Sequence, residues 1–196
     1  MKSLREQHAE ETREAILAAA RKLFTANGYD TSSIDEVAAA ARVTSGALYH
    51  HFRNKREIMR AVFEMLEGEL KNRIVAAVSE AKSASEAMRL TLGALFEACL
   101  EDDIRSIVFE QAPRVLGWEE WRAIDAEYAM ELLLSLLSRL RKERKLGPYD
   151  DKVVATLFLG ALAEAGLQIA QNRHDPRLQS QCEKILEAFL RGLEKP

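Results

Sequence analysis

The sequence predicts an all-α protein of one or two compact domains. Every long segment repeats its apolar residues with a helical period, and no segment sustains the alternation of apolar and polar residues that is typical of a strand. Hydrophobic residues make up 47% of the 196 positions, charged residues make up 30%, and four residues are proline. A chain of this length and composition can bury a substantial core, so we expect an ordinary soluble globular protein.

The first predicted helix runs from about Glu10 to Ala26. Acidic residues lead it, which suits the positive end of the helix dipole, and Asn27-Gly28 supplies a left-handed stop. Its apolar residues share one face: Ile16, Leu17, Ala20, Leu23 and Phe24.

Three further helices are predicted before residue 80. The second follows the capping box Ser33-Ile34-Asp35-Glu36 and extends to about Ala40, and the third begins near Thr44. The fourth follows the capping pattern Asn54-Lys55-Arg56-Glu57 and continues to Val78, with an apolar residue at every fourth position. Its length of roughly seven turns is enough to link two domains.

The rest of the chain predicts five helices, which with the connecting fourth helix form a bundle of about six. They extend from Ser83 to about Glu101, from about Ile104 to Ala112 before Pro113, from about Glu119 to Lys145, from about Asp150 to Asn172, and from about Pro176 to Gly192. Asp175 is expected to cap the last of them, with Pro176 in its first position.

The two parts of the chain differ in charge. Residues 1–60 contain ten Lys and Arg against eight Asp and Glu, whereas residues 61–196 contain 18 against 23. The net charge of −3 therefore divides into +2 and −5. We expect one domain at 1–60 and a second at 61–196, with different partners.

The second and third helices are separated by only about three residues. Helices joined so tightly cross at a steep angle, which predicts a helix-turn-helix whose second helix enters the major groove of DNA. The third helix has an apolar face for the other two helices, consisting of Ala47, Leu48 and Phe52. Its opposite face carries small or polar residues, as a groove-facing surface requires: Thr44, Ser45, Gly46, Tyr49 and His50.

A family resemblance rests on motifs spread over residues 10–60. They are Gly28-Tyr29, Ser32-Ser33-Ile34, Glu36-Val37-Ala38, the run from Ala41 to Tyr49, His51-Phe52 and Asn54-Lys55. This stretch resembles the DNA-binding domain of the tetracycline-repressor (TetR) family of transcriptional regulators. Arg42 stands where that family often has glycine, and His50 occupies a variable position; both differences bear on which operator is read.

The resemblance implies a role for each residue that faces DNA. Tyr49 and Lys55 would contact phosphates, with Lys55 at a helix N-terminus, and Ser33 and Thr44 would make further backbone contacts. The residues expected to meet base edges are Ser45, Gly46 and His50.

The last two helices predict a dimer interface. Small residues on the first would admit a close neighbour, and the second has an apolar stripe. The interface residues are Gly160, Ala161, Ala165, Cys182, Ile185, Phe189 and Leu193. Packing inside one subunit is the alternative. The resemblance favours a homodimer, and a palindromic operator needs two recognition helices roughly 34–36 Å apart.

The remaining helices predict an effector pocket for a small apolar or aromatic molecule. The aromatic and aliphatic residues exceed what one thin bundle requires, although each of them could also be plain core. The candidates are Phe63, Leu66, Phe96, Phe109, Trp118, Trp121 and Tyr128, with Glu110, Gln111, Glu164 and Gln168 as polar groups. The predicted function is a ligand-responsive regulator, acting as a repressor.

Other functional classes lack their motifs. The sequence contains no phosphate-binding loop, nucleophile elbow or HExxH, so we expect neither an enzyme nor a cofactor. Adjacent His50 and His51 point about 100° apart, which argues against a shared metal. Cys99 and Cys182 form no CxxC pair; a thiol- or metal-sensing regulator and a helical protein-interaction module remain the alternatives.

The chain is expected to act in the cytoplasm. The acidic residues near its N-terminus do not fit a secretory leader, and runs such as Val153 to Ala163 are shorter than the roughly 18–20 residues of a membrane span.

Overall fold

The computed structural model describes residues 3–143 and 146–193, and within these residues it is helical without strands, as predicted. The α-helices are α1 Leu4–Asn27, α2 Ile34–Ala40, α3 Ser45–His51, α4 Lys55–Val78, α5 Ala84–Ala98, α6 Ala112–Leu116, α7 Trp118–Lys142, α8 Asp151–Gln171 and α9 Pro176–Arg191. A π-helix, Ile104–Gln111, precedes α6.

Helix α1 begins six residues before the predicted start at Glu10. Ser3 caps it through a capping box: the Ser3 hydroxyl accepts from the backbone N–H of Glu6, and the Glu6 carboxylate accepts from the Ser3 N–H at 2.7 Å. These bonds satisfy N–H groups that a helix start leaves unpaired, so the polar first turns are stable without burial. The helix ends as predicted at Gly28, whose φ of 87° suits a residue without a Cβ.

The predicted caps of later helices are present. Ser33 and Glu36 form the capping box of α2, and the Asn54 side chain accepts from the Glu57 N–H at 2.9 Å at the start of α4. Asp175 accepts from the Arg177 N–H at the start of α9.

Three predicted helix ends were wrong. Helix α5 ends at Ala98 rather than at about Glu101. The segment after Ile104 does not stop before Pro113, because α6 continues through that residue. Proline is compatible with the first turn of a helix, where its missing N–H has no helical partner. Helix α7 ends at Lys142 rather than at Lys145, and Lys145 lies outside the described residues.

The described chain forms two compact units. Unit 1 comprises residues 1–66 and 102–120, and unit 2 comprises residues 67–101 and 121–196. The division falls inside α4, six residues after the predicted domain boundary. Unit 1 also includes the π-helix and α6. A prediction that divides the chain at a single position cannot assign this later segment to the first unit.

Each unit has its own core of fully buried large side chains. In unit 1 they include Phe24, Leu48, Ile58, Met59 and Phe63, and in unit 2 they include Leu92, Phe96, Trp121 and Phe158.

Helix α8 is long and apolar enough in composition to cross a membrane, with a mean hydropathy of 1.7 over its most apolar window. However, 56% of that window is buried within the structure, as in the core helix of a folded domain.

Candidate functional site

The short helix α3 separates an apolar face from a polar face, as the sequence predicted. Leu48 is completely buried and Phe52 at the helix end is 4% exposed, so both belong to the core. On the other side Tyr49 is 52% exposed, and His50 is also exposed. An exposed aromatic ring beside an imidazole and small residues forms a surface that can lie on DNA.

The turn between α2 and α3 depends on Arg42. Its φ of 58° lies in the left-handed region, where a residue with a Cβ is strained and glycine is not. The Val43 N–H donates to the Ala38 carbonyl at 3.0 Å and closes the turn. The arginine thus accepts strain and places an exposed cation beside α3.

The first turn of α3 is fixed by hydroxyl groups. The Thr44 hydroxyl accepts from the Ala47 N–H at 3.1 Å and caps the helix. The Ser45 hydroxyl donates to Asp35 Oδ1 of α2 at 2.7 Å. The Ser45 hydrogen is therefore engaged by a carboxylate that the sequence reasoning missed, while its oxygen can still accept.

Lys55, at the start of α4, points toward the connection between α1 and α2. Its Nζ donates to the carbonyl oxygens of Tyr29 at 2.7 Å and Ser32 at 2.8 Å. It also lies 4.2 Å from the centroid of the Tyr29 ring, a cation–π distance. Sequence reasoning assigned no role to Tyr29.

The neighbouring rings of His50 and His51 lie 5.7 Å apart at 77°. Burial lowers the pKa of His51, and the charges of His50 and Arg13 lower it further. Over residues 3–143 and 146–193, no group of three His, Cys, Asp or Glu side chains is arranged to hold a metal ion.

The π-helix is bonded to α1 and the following turn within unit 1. Gln111 is buried, and its Nε2 donates to the Phe24 carbonyl at 3.0 Å and to the Ser106 hydroxyl at 2.6 Å. Its Oε1 accepts from the Tyr29 N–H at 2.6 Å. Gln111, predicted as a polar group of the effector pocket, is thus a hydrogen-bonding centre of unit 1.

Comparisons with known proteins agree with this geometry. Residues 16–62 match the profile of bacterial regulatory proteins of the tetR family, and residues 85–193 match that of the tetracyclin repressor-like C-terminal domain. A solved TetR-family transcriptional regulator of Pectobacterium atrosepticum is 34% identical over 100% of both chains, with a TM-score of 0.84. The chain belongs to the TetR family of transcriptional regulators.

Two curated relatives extend the comparison. The Transposon Tn10 TetC protein of Escherichia coli is 24% identical over 98% of both chains. The HTH-type transcriptional regulator AcrR of Shigella flexneri is 33% identical over 61% of this chain and 63% of its own. The family consists of transcriptional regulators rather than enzymes, and AcrR is by its name an HTH-type transcriptional regulator.

The predicted effector residues of this TetR-family regulator divide between the two units. Unit 1 contains Phe63, Leu66, Phe109 and Trp118, and unit 2 contains Phe96, Trp121, Tyr128, Glu164 and Gln168. Most of the aromatic side chains are buried, whereas Trp118 is about half exposed and Glu164 and Gln168 are exposed and bonded to each other at 2.9 Å. A pocket of about 380 Å³ in unit 2 is lined by other residues, including Met88, Arg89 and Leu140.

Unit 2 of the regulator contains two acidic residues that sequence reasoning missed. Glu67 of α4 is only 5% exposed, and burial followed by the charge of Asp125 raises its pKa well above the ordinary value. Burial raises the pKa of Asp125 to about 6, against an opposing effect of Arg122. The sequence offered one signal for Glu67: it is an acid that directly follows Leu66, one of the regularly spaced apolar residues of α4.

The predicted dimer residues of the regulator have unequal exposure. Ile185 is 67% exposed and Phe189 is 38% exposed, while Ala165 is buried; Gly160, Ala161, Cys182 and Leu193 are intermediate. A Cβ added to Gly160 would lie 3.7 Å from the guanidinium of Arg122. Part of the predicted set thus packs within unit 2, and the exposed part forms an apolar stripe on α9.

Both thiols are held in the protonated form. Cys99 is completely buried, and burial, with Glu67 nearby, raises its pKa far above the ordinary value. Burial and the charge of Glu183 raise the pKa of Cys182.

Proposed function

We propose that this TetR-family regulator is a homodimeric repressor that binds a palindromic operator and leaves it when a small apolar or aromatic effector binds. The observation that carries the proposal is the two-sided α3 helix. Leu48 lies on its buried face, Tyr49 and His50 are exposed on the other side, and Thr44 caps its N-terminus.

The DNA contacts divide into two kinds. Tyr49, Thr44 and Ser33 contact the phosphate backbone. Lys55 contacts it through the ammonium N–H that is not bonded to the carbonyl oxygens of Tyr29 and Ser32. Ser45, Gly46 and His50 meet base edges in the major groove, and the proposal treats the Ser45 oxygen as an acceptor because its hydrogen is bonded to Asp35.

The homodimer forms through α8 and α9. A stripe of exposed apolar side chains is unusual on a surface that stays in water. Ile185 and Phe189 on α9 are exposed, and so are Val153 and Leu157 on α8. A two-fold pairing would bury the stripe and supply the second recognition helix that a palindrome requires.

Effector binding acts through differential affinity. A ligand releases DNA only if it binds the DNA-incompetent conformation more tightly, and operator must then weaken ligand binding by the same factor. Helix α4 is the proposed lever, because it carries Lys55 in its first turn and residues of both units along its length.

A thiol-sensing regulator on the same scaffold is the second candidate. The complete burial and raised pKa of Cys99 oppose it, since the thiolate is the form that reacts. The proposed location is the cytoplasm, where an operator is accessible.

The decisive experiment selects DNA fragments of the host genome that bind the purified protein and titrates the best fragment against salt. A palindromic site whose affinity falls steeply with salt supports the proposal. If the protein enriches no fragment, or if its affinity for DNA does not change with salt, the proposed function is wrong.

A further inference from the structure

We infer that Asp35 determines which bases Ser45 can read, and that each operator half-site therefore presents adenine or cytosine to Ser45. Both bases carry an exocyclic amino group in the major groove, which donates to the serine oxygen. The inference rests on the proposed operator-binding function and specifies one position of the DNA sequence that the protein selects.

Ser45 supplies the hydroxyl group in the first turn of α3 that remains available to a base. The Thr44 hydroxyl, at the cap, already accepts from the Ala47 N–H at 3.1 Å, and Gly46 has no side chain. Ser45 is half-buried between these two exposed neighbours. A hydroxyl group can both donate and accept, so by itself it would not distinguish a donor on a base from an acceptor.

The hydrogen bond to Asp35 removes this ambiguity. Ser45 Oγ donates its hydrogen to Asp35 Oδ1 at 2.7 Å, and a carboxylate has no hydrogen to return. Bonds to an ionised acceptor are short and roughly twice as strong as bonds between neutral groups. If the hydroxyl turned to donate to a base, it would lose this bond and leave the carboxylate facing an electronegative base edge. The Ser45 oxygen is therefore an acceptor when DNA is bound.

Asp35 differs from the acid beside it in what it bonds. Glu36 accepts from the Ser33 N–H at 2.7 Å and closes the capping box of α2, whereas in the described chain the Asp35 side chain bonds to Ser45, ten positions away on α3. An acid close to DNA repels phosphates and weakens binding to every sequence. Its position is understandable if Asp35 contributes to the choice of sequence instead.

The pattern of donors and acceptors in the major groove turns this polarity into a base preference. Adenine N6 and cytosine N4 are donors, whereas guanine O6 and N7 and thymine O4 are acceptors. Against guanine or thymine, the Ser45 oxygen would face another acceptor with no hydrogen between them, and both groups would lose their water without compensation. The base opposite Ser45 is therefore adenine or cytosine.

The test uses the operator recovered from the host genome and a set of duplexes in which each position of both half-sites carries each of the four bases. Fluorescence anisotropy gives the affinity of the full-length protein for every duplex. The position at which Ser45→Ala loses its base preference identifies the base that Ser45 reads. The wild type should bind duplexes with adenine or cytosine there about tenfold more tightly than those with guanine or thymine.

Asp35→Asn is the most informative variant, because it keeps the size of the side chain and its contact with Ser45. An amide donates as well as accepts, so the Ser45 hydrogen is no longer committed and the hydroxyl can donate to guanine or thymine. The preference should fall to about threefold or less. Asp35→Ala, which removes the contact, should lower the preference to the same extent.

Two controls separate this role from charge and from folding. Glu14→Gln removes a negative charge from an exposed position on α1 and should leave the base preference unchanged. Asp35→Asn in a Ser45→Ala background should also leave it unchanged, because Asp35 acts through Ser45. Circular dichroism and thermal unfolding establish that each variant is folded. A role of Asp35 in the fold alone would lower the affinity for all duplexes by the same factor.

Four outcomes would overturn the inference: guanine or thymine at this position in the preferred operator, a preference that survives in both Asp35 variants, a Ser45→Ala variant that changes the preference at no position, or an effect of Asp35→Asn that persists without the Ser45 hydroxyl. Each of these outcomes leaves operator binding intact. Failure of the proposed function is a different result, in which the wild type selects no operator.

Discussion

Lys55 Nζ donates to the carbonyl oxygen of Tyr29 at 2.7 Å and lies 4.2 Å from the centroid of the same residue's ring. The residue that the family resemblance assigns to a phosphate contact thus also fastens the α1–α2 connection to the start of α4. Two of its three N–H groups are used in this way, so one remains for DNA.

Lys55→Ala should therefore have two effects. Two carbonyl groups lose a charged donor, which should lower the free energy of unfolding by about 1–3 kcal/mol in urea titrations. The salt dependence of operator binding should flatten by about one unit on every sequence. Lys184→Ala on exposed α9 is the control and should change neither. A destabilised variant with an unchanged salt slope would show that Lys55 serves the fold alone.

His50→Ala should cost about 1–3 kcal/mol of binding to the cognate operator, with little effect on random DNA, because a base-edge contact is specific to sequence. Fluorescence anisotropy with both DNAs measures the difference. His174→Ala, in the exposed turn between α8 and α9, is the matched control. Equal losses of binding free energy on both DNAs would show that His50 contacts phosphates rather than base edges.

Gln111→Ala should destabilise the protein by about 1–3 kcal/mol, because the half-buried Tyr29 N–H loses its acceptor. Operator affinity should fall as well, since Tyr29 is also the residue that Lys55 holds. Arg114→Ala removes an exposed ion pair with Asp30 in the same unit and should cost at most about 1 kcal/mol. Comparable thermal shifts in the two variants would contradict this ranking.

Ile185→Glu should convert the dimer to a monomer at micromolar concentration, because it places a charge in the apolar stripe while the side chain is already exposed in the single chain. Sedimentation equilibrium measures the mass, and Lys184→Glu is the control. This variant tests the interface more directly than a bulky replacement of Gly160, because a larger side chain there would also contact Arg122 within the same subunit. A monomeric wild type with full operator affinity would refute the dimer.

Asp125 makes stability depend on pH in a defined direction. Burial raises its folded pKa from 3.8 to about 6, so the folded state binds the proton more tightly than the unfolded chain does. Its contribution is complete below the unfolded pKa and is lost as the pH rises through about 6. Asp125→Asn should therefore gain stability relative to wild type between pH 4.5 and pH 7.5 in urea titrations. Glu127→Gln, an exposed change on the same helix, should follow the wild type.

Local patterns explain why most helix starts were predictable. A cap involves side chains within three or four residues of each other, so Ser33 with Glu36 and Asn54 with Glu57 could be recognised without any tertiary information. The end of the helix after Ile104 was mispredicted because proline has opposite meanings in the first turn and in the interior, and the sequence does not show which applies at Pro113.

The sequence by itself determined the helical class, the capped helix-turn-helix and the exposed face of α3, because each depends on periodicity or contacts between near neighbours. Only the tertiary structure decided that Lys55 turns toward Tyr29, that Gln111 joins the π-helix to α1, and that the charge of Asp125 acts on Glu67. These pairs are separated by 26 to 87 positions. Side chains so far apart interact only after the chain has folded, and the burial that raises the pKa of Glu67 is a property of the folded packing.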